Sequence, residues 1–300
     1  MKNQLKTFVL LSVLTALLLF VGNVLGGRFG LMIAIVIVVI MNFVSYFYSD
    51  KIVLFMYKAK EVKEKDQPEL FKIVKEVVSL ANIPMPKVYI IPSESPNAFA
   101  TGRSPSHAAV ACTHGIMNLL NKDELKGVIA HEISHIKNRD ILIQTVAATI
   151  AGIISYVAAM AKWSAIFGGF GGDRNNNGGN MISLLLIAII TPIIALIIQL
   201  AISRSREYLA DESAARILHN PNGLASALQK LDAGIKQNPL KFGEPSTSSL
   251  FIANPFNARG MLTLLSTHPQ INERVRRLKS LKLTNFTFNL KYTKCYVRQI

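Results

Sequence analysis

Four long hydrophobic runs are the dominant pattern along this chain of 300 residues. They cover residues 7–27, 29–49, about 141–167 and about 181–203. Each is at least as long as the roughly 20 residues that a helix needs to cross the hydrocarbon core of a bilayer. The pattern predicts four transmembrane helices, arranged as two hairpins at 1–49 and 141–203. Lys2 and Lys6 would also suit a cleaved signal peptide, but the first run is too long and a second follows at once.

The two remaining segments, 50–140 and 204–300, are predicted to form one soluble domain in two parts. Apolar residues at helical spacing predict helices at about 66–81, 121–136, 204–218, 223–237 and 270–281. Asp66 and Asn121, each followed by Glu three residues later, match capping boxes. Short apolar stretches predict strands at 88–91, 98–101 and 108–112. Residues 243–260 are rich in Gly, Pro, Ser, Thr and Asn, which predicts a mobile loop. The expected class is α+β, a mostly helical domain with a small β-sheet.

The formal net charge of +15 lies mainly beside the hydrophobic runs. Most Lys and Arg residues near the run ends fall on one side of the predicted membrane, and Arg28, Lys162 and Arg174 fall on the other. Cytoplasmic loops carry the excess of Lys and Arg, so both soluble segments are predicted to face the cytoplasm from the inner membrane. No nucleic-acid partner is expected, because the chain has neither a zinc-finger spacing nor an RNP signature. The expected partner of the basic residues is the lipid bilayer.

One short motif carries the candidate chemistry. Residues 131–135 are His-Glu-Ile-Ser-His, and they fall on a predicted amphipathic helix. Positions i and i+4 share a helix face, so the imidazoles of His131 and His135 can bind one Zn²⁺. Glu132 can then reach a metal-bound water as the general base without being a ligand. The alternative interpretation is a pair of solvated or membrane-interface histidines.

A catalytic zinc site needs a third protein ligand and an open position. Glu207 is the candidate, because it follows the fourth run and two membrane crossings return the chain to the side of His131. Asp211 lies one helical turn further and can accept a hydrogen bond from a ligand imidazole. The alternative for both carboxylates is interfacial pairing with nearby arginines. His268, between the predicted loop and a basic helix, either donates a hydrogen bond to the oxyanion or has a structural role.

Several motifs in this order resemble the HtpX group of membrane metallopeptidases, which are relatives of the CAAX prenyl endopeptidases. The similar stretches are HEISH at 131–135, SRSREYLAD at 203–211, SPNAFATG at 95–102, FIANP at 251–255 and STHP at 266–269. The resemblance runs from the first hydrophobic run to about residue 281. Residues 282–300 extend beyond the usual final helix of this family.

The resemblance implies a gluzincin-like zinc protease domain beside four membrane spans. The implied zinc ligands are His131, His135 and Glu207, with one zinc ion per chain and Glu132 as the base. A strand at the edge of the cleft would hold the substrate backbone by strand addition. The residues implied for this strand are Asn97, Ala98, Phe99 and Ala100. The resemblance also favours a site role for His268, and it implies quality control of misfolded or damaged membrane proteins.

Two other functions fit the same residues. A membrane scaffold or zinc-binding adaptor would need no general base, and its structural zinc would more often have a fourth protein ligand. Processing of one specific substrate, such as a lipidated C-terminus or a peptide pheromone, would use the same site. The complete motif at 131–135 favours an enzyme over the scaffold.

Overall fold

The computed structural model describes residues 2–150, 204–242, 245–255 and 269–281. The described helices are α1 (Lys2–Met56), α2 (Pro68–Ala81), α3 (His114–Leu119), α4 (Lys122–Lys137), α5 (Ile141–Ile150), α6 (Arg204–Leu218), α7 (Asn222–Gln237) and α8 (Ile271–Ser280). The strands are β1 (Lys60–Glu61), β2 (Lys87–Ile91), β3 (Ala98–Gly102) and β4 (Ala108–Thr113). The predicted span at 181–203, the later part of the span at 141–167, His268 and residues 282–300 lie outside the described residues.

The N-terminal helix α1 consists of two apolar arms that meet at Gly27. Gly27 has φ 54° and ψ −139°, a backbone conformation that glycine adopts without steric cost. The arms approach closely at Gly22 and Gly30, where a Cβ on Gly30 would collide with the carbonyl oxygen of Gly22. Further along, Asn42 Nδ2 donates a hydrogen bond to Thr15 Oγ1 at 3.0 Å. These contacts hold the two arms antiparallel, as a helical hairpin.

The second arm of α1, Gly27–Met56, is the one described helix that is long and apolar enough to cross a membrane. Its mean hydropathy is 2.4, and only 17% of its most apolar window is buried within the protein. The exposed large apolar side chains on this arm include Met32, Val36, Ile40, Phe43 and Phe47. An exposed apolar surface of this extent is suited to lipid contact. Two shorter apolar helices, Leu11–Phe20 and Ile141–Ile150, fall within the first and third predicted spans.

A four-stranded mixed sheet in the order β1-β2-β4-β3 underlies the described part of the soluble domain. β2 runs parallel to β4, and β3 runs antiparallel to β4 with Ala98 opposite Cys112. The three strands expected from the sequence are present, and the short β1 is an addition. β3 is one of the two edge strands of this sheet, and β1 is the other. Because the Asn97 carbonyl accepts the Thr113 N–H, the backbone groups of Ala98 and Ala100 point away from β4.

Helix α4 lies at the centre of the domain, where it packs against α2, α6, α7 and β3. Every side chain from Gly127 to Ile136 is buried. The other face of the sheet packs on the end of α1, through a second apolar cluster that includes Val53, Tyr57 and Phe99. The sheet is thus enclosed between α4 and the apolar N-terminal hairpin.

The starts of α4 and α2 differ in how their backbone groups are capped. The predicted capping box of α4 is present, with Asn121 Oδ1 accepting the Glu124 N–H and the Glu124 carboxylate accepting the Asn121 N–H. The predicted box at Asp66 is wrong, because its carboxylate accepts the Lys63 N–H and α2 begins without a side-chain cap. Pro68 at the start of α2 has no N–H, so it removes one of the donors that a cap would satisfy.

Residues 245–255 differ from the predicted mobile loop at 243–260. Pro245–Leu250 form a short 3₁₀ helix, and the following residues, Phe251 to Ala253, are almost fully buried. Leu250 and Phe251 join the apolar cluster next to α1, and Ile252 joins the main core cluster, which is built around Val128, Ile129 and Ile133 of α4. The composition of the segment is that of a loop, but its apolar residues are part of the core.

Candidate metal centre

Two histidines on α4 face each other in the centre of the domain. His131 and His135 are 0% and 4% exposed, and their Nε2 atoms are 3.2 Å apart. The start of this helix is held in place through Glu124, whose carboxylate accepts hydrogen bonds from Ser226 and Lys230 on α7. The helix spacing and this anchoring together give both imidazoles a fixed position.

Glu207 on α6 completes a group of three possible metal ligands. Its Oε2 lies 3.6 Å from His131 Nε2, and its Oε1 lies 3.6 Å from His135 Nε2. The three ligand atoms all lie within 4.8 Å of one another. In a tetrahedral zinc site with bonds of about 2.0–2.1 Å, neighbouring ligand atoms are about 3.3 Å apart. The three side chains therefore fit one zinc ion.

A second carboxylate contacts the outer nitrogen of each imidazole. Asp211 Oδ1 lies 2.9 Å from His131 Nδ1, and Asp140 Oδ2 lies 3.2 Å from His135 Nδ1. An ionised carboxylate only accepts hydrogen bonds, so each Nδ1 carries a hydrogen and each Nε2 faces the centre of the site. The two Nε2 atoms, 3.2 Å apart, are placed to share a proton or a metal ion. The donor set therefore suits a metal ion.

Asp140 is a residue of this site that the sequence analysis did not identify. It lies three residues after the end of α4. The residue before it, Arg139, has a left-handed conformation with φ 59°. This turn returns the carboxylate to the last turn of α4, where it meets His135. A signal was available in the sequence, since Asp140 begins an apolar run and a buried carboxylate needs a partner.

We expect Asp140→Asn to weaken zinc binding about 10- to 100-fold, because outer carboxylates orient the ligand imidazole and raise its basicity. The measurement is competition for zinc against a chelator of known affinity. Asp232→Asn is the matched control, since Asp232 pairs with Lys236 on the surface of α7. Equal zinc affinity in the two variants would contradict a role for Asp140 in orienting His135.

Arg274 on α8 is the second residue that the sequence analysis did not identify. It is 0% exposed, and its Nε and Nη2 donate to the two oxygens of Asp211 at 2.9 and 2.8 Å. Burial opposes the ionised form of Asp211, but the charge of Arg274 outweighs it and lowers the pKa of this carboxyl. Arg274 Nη1 also lies 3.8 Å from Glu207 Oε2. The guanidinium therefore holds Asp211 and Glu207 of α6 beside His131.

Glu132 is buried beside the ligands, at 2% exposure. Burial raises its pKa, although the nearby His131 and His135 favour the charged form. Its carboxylate also interacts with the backbone N–H of Ala100, on the outer edge of β3. Glu132 thus lies between the ligand cluster and the strand that was expected to border the cleft.

The environment of His131 favours positive charge at the centre of the site. Burial lowers the pKa of this imidazole, but hydrogen bonds to Asp211 and Glu207 outweigh it and raise the pKa to about 9. The carboxylates that favour a proton on this ring favour a metal ion at the same place.

The predicted substrate strand lies alongside this centre. Ala98, Phe99 and Ala100 belong to β3, and Asn97 precedes it with its side chain buried. β3 packs against α4, so the four residues and the motif helix border the same space.

Comparison with known proteins decides the family. The profile of peptidase family M48 matches residues 64–282, a range that includes both α4 and α8. The chain belongs to peptidase family M48. It is also 51% identical over 282 residues to a protein named Protease HtpX homolog from Syntrophobacter fumaroxidans, which covers 94% of this chain and 100% of the relative. A Protease HtpX homolog from Pyrococcus furiosus is 51% identical over 278 residues, with 93% and 96% covered. The expected resemblance to the HtpX group is confirmed.

Among solved structures, the chain is similar to Ste24p from S. mikatae. The two are 19% identical, with a TM-score of 0.48, and the alignment covers 92% of this chain and 65% of the other. Ste24p is thus a longer protein, of which this M48 chain spans about two thirds.

Membership of M48 makes the chain a protease, and its three-ligand cluster makes it a metalloprotease. The apolar helix Gly27–Met56 and the curated relatives support association with a membrane.

Proposed function

We propose that this M48 peptidase is a zinc-dependent endopeptidase with four membrane spans, and that it hydrolyses misfolded or damaged membrane proteins in quality control. Its site would face the cytoplasm from the inner membrane. One observation carries the proposal: His131, His135 and Glu207 surround a single metal position, with Glu132 beside it. Among the described residues this group has three members, which leaves a coordination position for water or substrate. A scaffold with a structural zinc would instead close the site.

The proposed roles follow from the position of each side chain. His131, His135 and Glu207 would hold zinc, which supplies an activated water and polarises the scissile carbonyl when it is bound. Glu132 takes a proton from the attacking water and then passes it to the departing amine. His268 lies outside the described residues, and its proposed role, donation of a hydrogen bond to the oxyanion, rests on the sequence alone.

The route from the site to the apolar hairpin supports a membrane-protein substrate. Helix α5 begins just after Asp140 and runs back towards α1, where Thr149 Oγ1 donates to the Ser49 carbonyl at 3.4 Å. The nine residues from Asp140 to Thr149 correspond to about 14 Å at 1.5 Å per residue. Thr145 on the same helix also contacts Thr101 of β3. A polypeptide emerging from the bilayer near Ser49 would therefore meet the β3 edge within a few residues.

Removal of the metal tests this function directly. Detergent-purified protein is expected to contain one zinc ion per chain and to cleave an unfolded membrane protein at internal peptide bonds. Dialysis against a chelator should abolish cleavage, and stoichiometric zinc should restore it, because the proposed activated water exists only at the metal. Zinc content and fragment masses are the measurements. Undiminished cleavage by the metal-free protein would rule out the proposed mechanism.

A further inference from the structure

The outer edge of β3, on the side away from β4, is contacted by a segment of the same chain. We name residues 250–254 the edge segment. The Ile252 N–H donates to the Ala98 carbonyl at 3.2 Å, and Asn97 Nδ2 donates to the Ala253 carbonyl at 2.7 Å. The Ala98 carbonyl is on the side of β3 that faces away from β4. The edge segment therefore occupies the outward carbonyl of Ala98, which is one of the backbone groups that a substrate would use in strand addition.

A third backbone contact places the edge segment beside the metal centre. Arg274 Nη1 donates to the Ile252 carbonyl at 2.7 Å, and Arg274 Nη2 lies 3.4 Å from His131 Nε2. The Ile252 carbonyl is thus separated from a candidate zinc ligand by one guanidinium group. Both the N–H and the C=O of this residue are held, one by the edge strand and one by Arg274.

The edge segment is a bend with one backbone hydrogen bond to β3, and its two large side chains after Leu250 enter different apolar clusters. Phe251 packs edge-on against Phe99 and Tyr57, with ring centroids 5.2 and 4.9 Å apart, in the apolar cluster next to α1. Ile252 instead joins the main core cluster, together with Ala98. Successive side chains that enter different clusters are a feature that the segment shares with a strand added to a sheet edge.

We propose that the edge segment is an internal occupant of the substrate site, bound as a substrate is bound, and that an extended apolar polypeptide displaces it. This inference rests on the proposed function. Two strands cannot occupy one edge, because paired strands lie about 4.8 Å apart and the edge accepts a single neighbour. The occupant also specifies the substrate class. It is an extended chain with an aromatic residue followed by a branched aliphatic one, as Phe251 and Ile252 are.

Amide hydrogen exchange tests the displacement. The probe is a capped peptide that copies residues 249–255, added to the full-length, zinc-loaded Glu132→Gln variant in detergent. We expect the Ile252 amide of the protein to exchange about tenfold faster when the peptide is present, because its bond to Ala98 is lost. A scrambled peptide of the same composition should have no effect. An Ile252 amide that stays protected up to the solubility limit of the copied peptide overturns the proposal.

A matched pair of variants gives an independent readout. Ile252→Ala weakens the docked segment, so the open fraction of the site increases and kcat/KM should rise about threefold or more. Ile73→Ala is the control, since Ile73 on α2 is also an almost fully buried isoleucine of the main core cluster. The control variant should be no more active than the wild type. Equal or lower activity of Ile252→Ala relative to Ile73→Ala contradicts displacement.

Failure of the proposed function and failure of the displacement give different experimental results. If the proposed function is wrong, the wild type shows no zinc-dependent cleavage at all. If only the displacement is wrong, the wild type cleaves, while the Ile252 amide stays protected and Ile252→Ala gives no activation.

Discussion

The Glu132→Gln variant is expected to lose about 10³-fold in kcat/KM while it retains one zinc ion per chain. Glutamine has nearly the same size but cannot accept the proton of the attacking water. The ligands should remain in place, because Glu132 is not one of the three side chains that surround the metal position. The measurements are the rate of cleavage of an unfolded membrane protein and the zinc content of the same sample.

Glu212→Gln provides the matched control for this substitution. Glu212 lies on α6, near Glu207 in the sequence, but its carboxylate pairs with Arg216 on the surface. A surface ion pair contributes at most about 1 kcal/mol, so this variant should keep nearly full activity and normal zinc content. Full activity of Glu132→Gln would contradict its role as the base, and loss of zinc from it would show that Glu132 acts through the metal instead.

The parts of the site that the sequence predicts are those governed by local geometry. The four-residue spacing of His131 and His135 determines that the two rings share a face of any α-helix, whatever the tertiary fold. The capping box at Asn121 is local in the same sense, and the structure contains it. Glu207 lies much further along the chain. It is predicted from its place just after the fourth run with Asp211 four residues on, and the count of membrane crossings only permits the site.

The parts that the sequence does not predict depend on contacts between distant elements. Arg274 lies 63 residues from Asp211, and its helix is basic enough to suggest a solvated surface. Arg274 lies on the same helix face as the buried Val275 and Leu278. Arg276 and Arg277 of this helix are exposed. The sequence shows that one face of α8 is apolar, but not which charged residue enters the core with it.

The edge segment illustrates the same limit at the level of composition. The Ser, Thr, Asn and Pro residues of 243–260 favour a loop, and this pattern outweighs the short apolar stretch at 250–253. Four residues cannot show helical periodicity, and four is the shortest apolar run that is consistent with a strand, so the surrounding loop composition outweighs it. Their burial depends on β3 and Arg274, both of which are remote in sequence.

Replacing Arg274 with methionine is expected to destabilise the protein by about 3–5 kcal/mol, since it leaves the buried Asp211 carboxylate without its cation. Methionine keeps much of the side-chain length and adds no polar group. The same variant should bind zinc about 10- to 100-fold more weakly, because Asp211 orients the imidazole of His131. Thermal unfolding of the metal-free protein and chelator competition for zinc measure the two effects separately.

The matched control is Arg277→Met on the same helix. Arg277 is exposed and pairs with Glu273, so its loss should change stability by less than about 1 kcal/mol and leave zinc affinity unaltered. Arg274→Lys separates charge from geometry, because lysine restores the cation but not the two parallel hydrogen bonds to Asp211. We expect lysine to recover part of the stability and less of the zinc affinity. If Arg274→Met unfolds and binds zinc as Arg277→Met does, the buried guanidinium does not organise the metal centre.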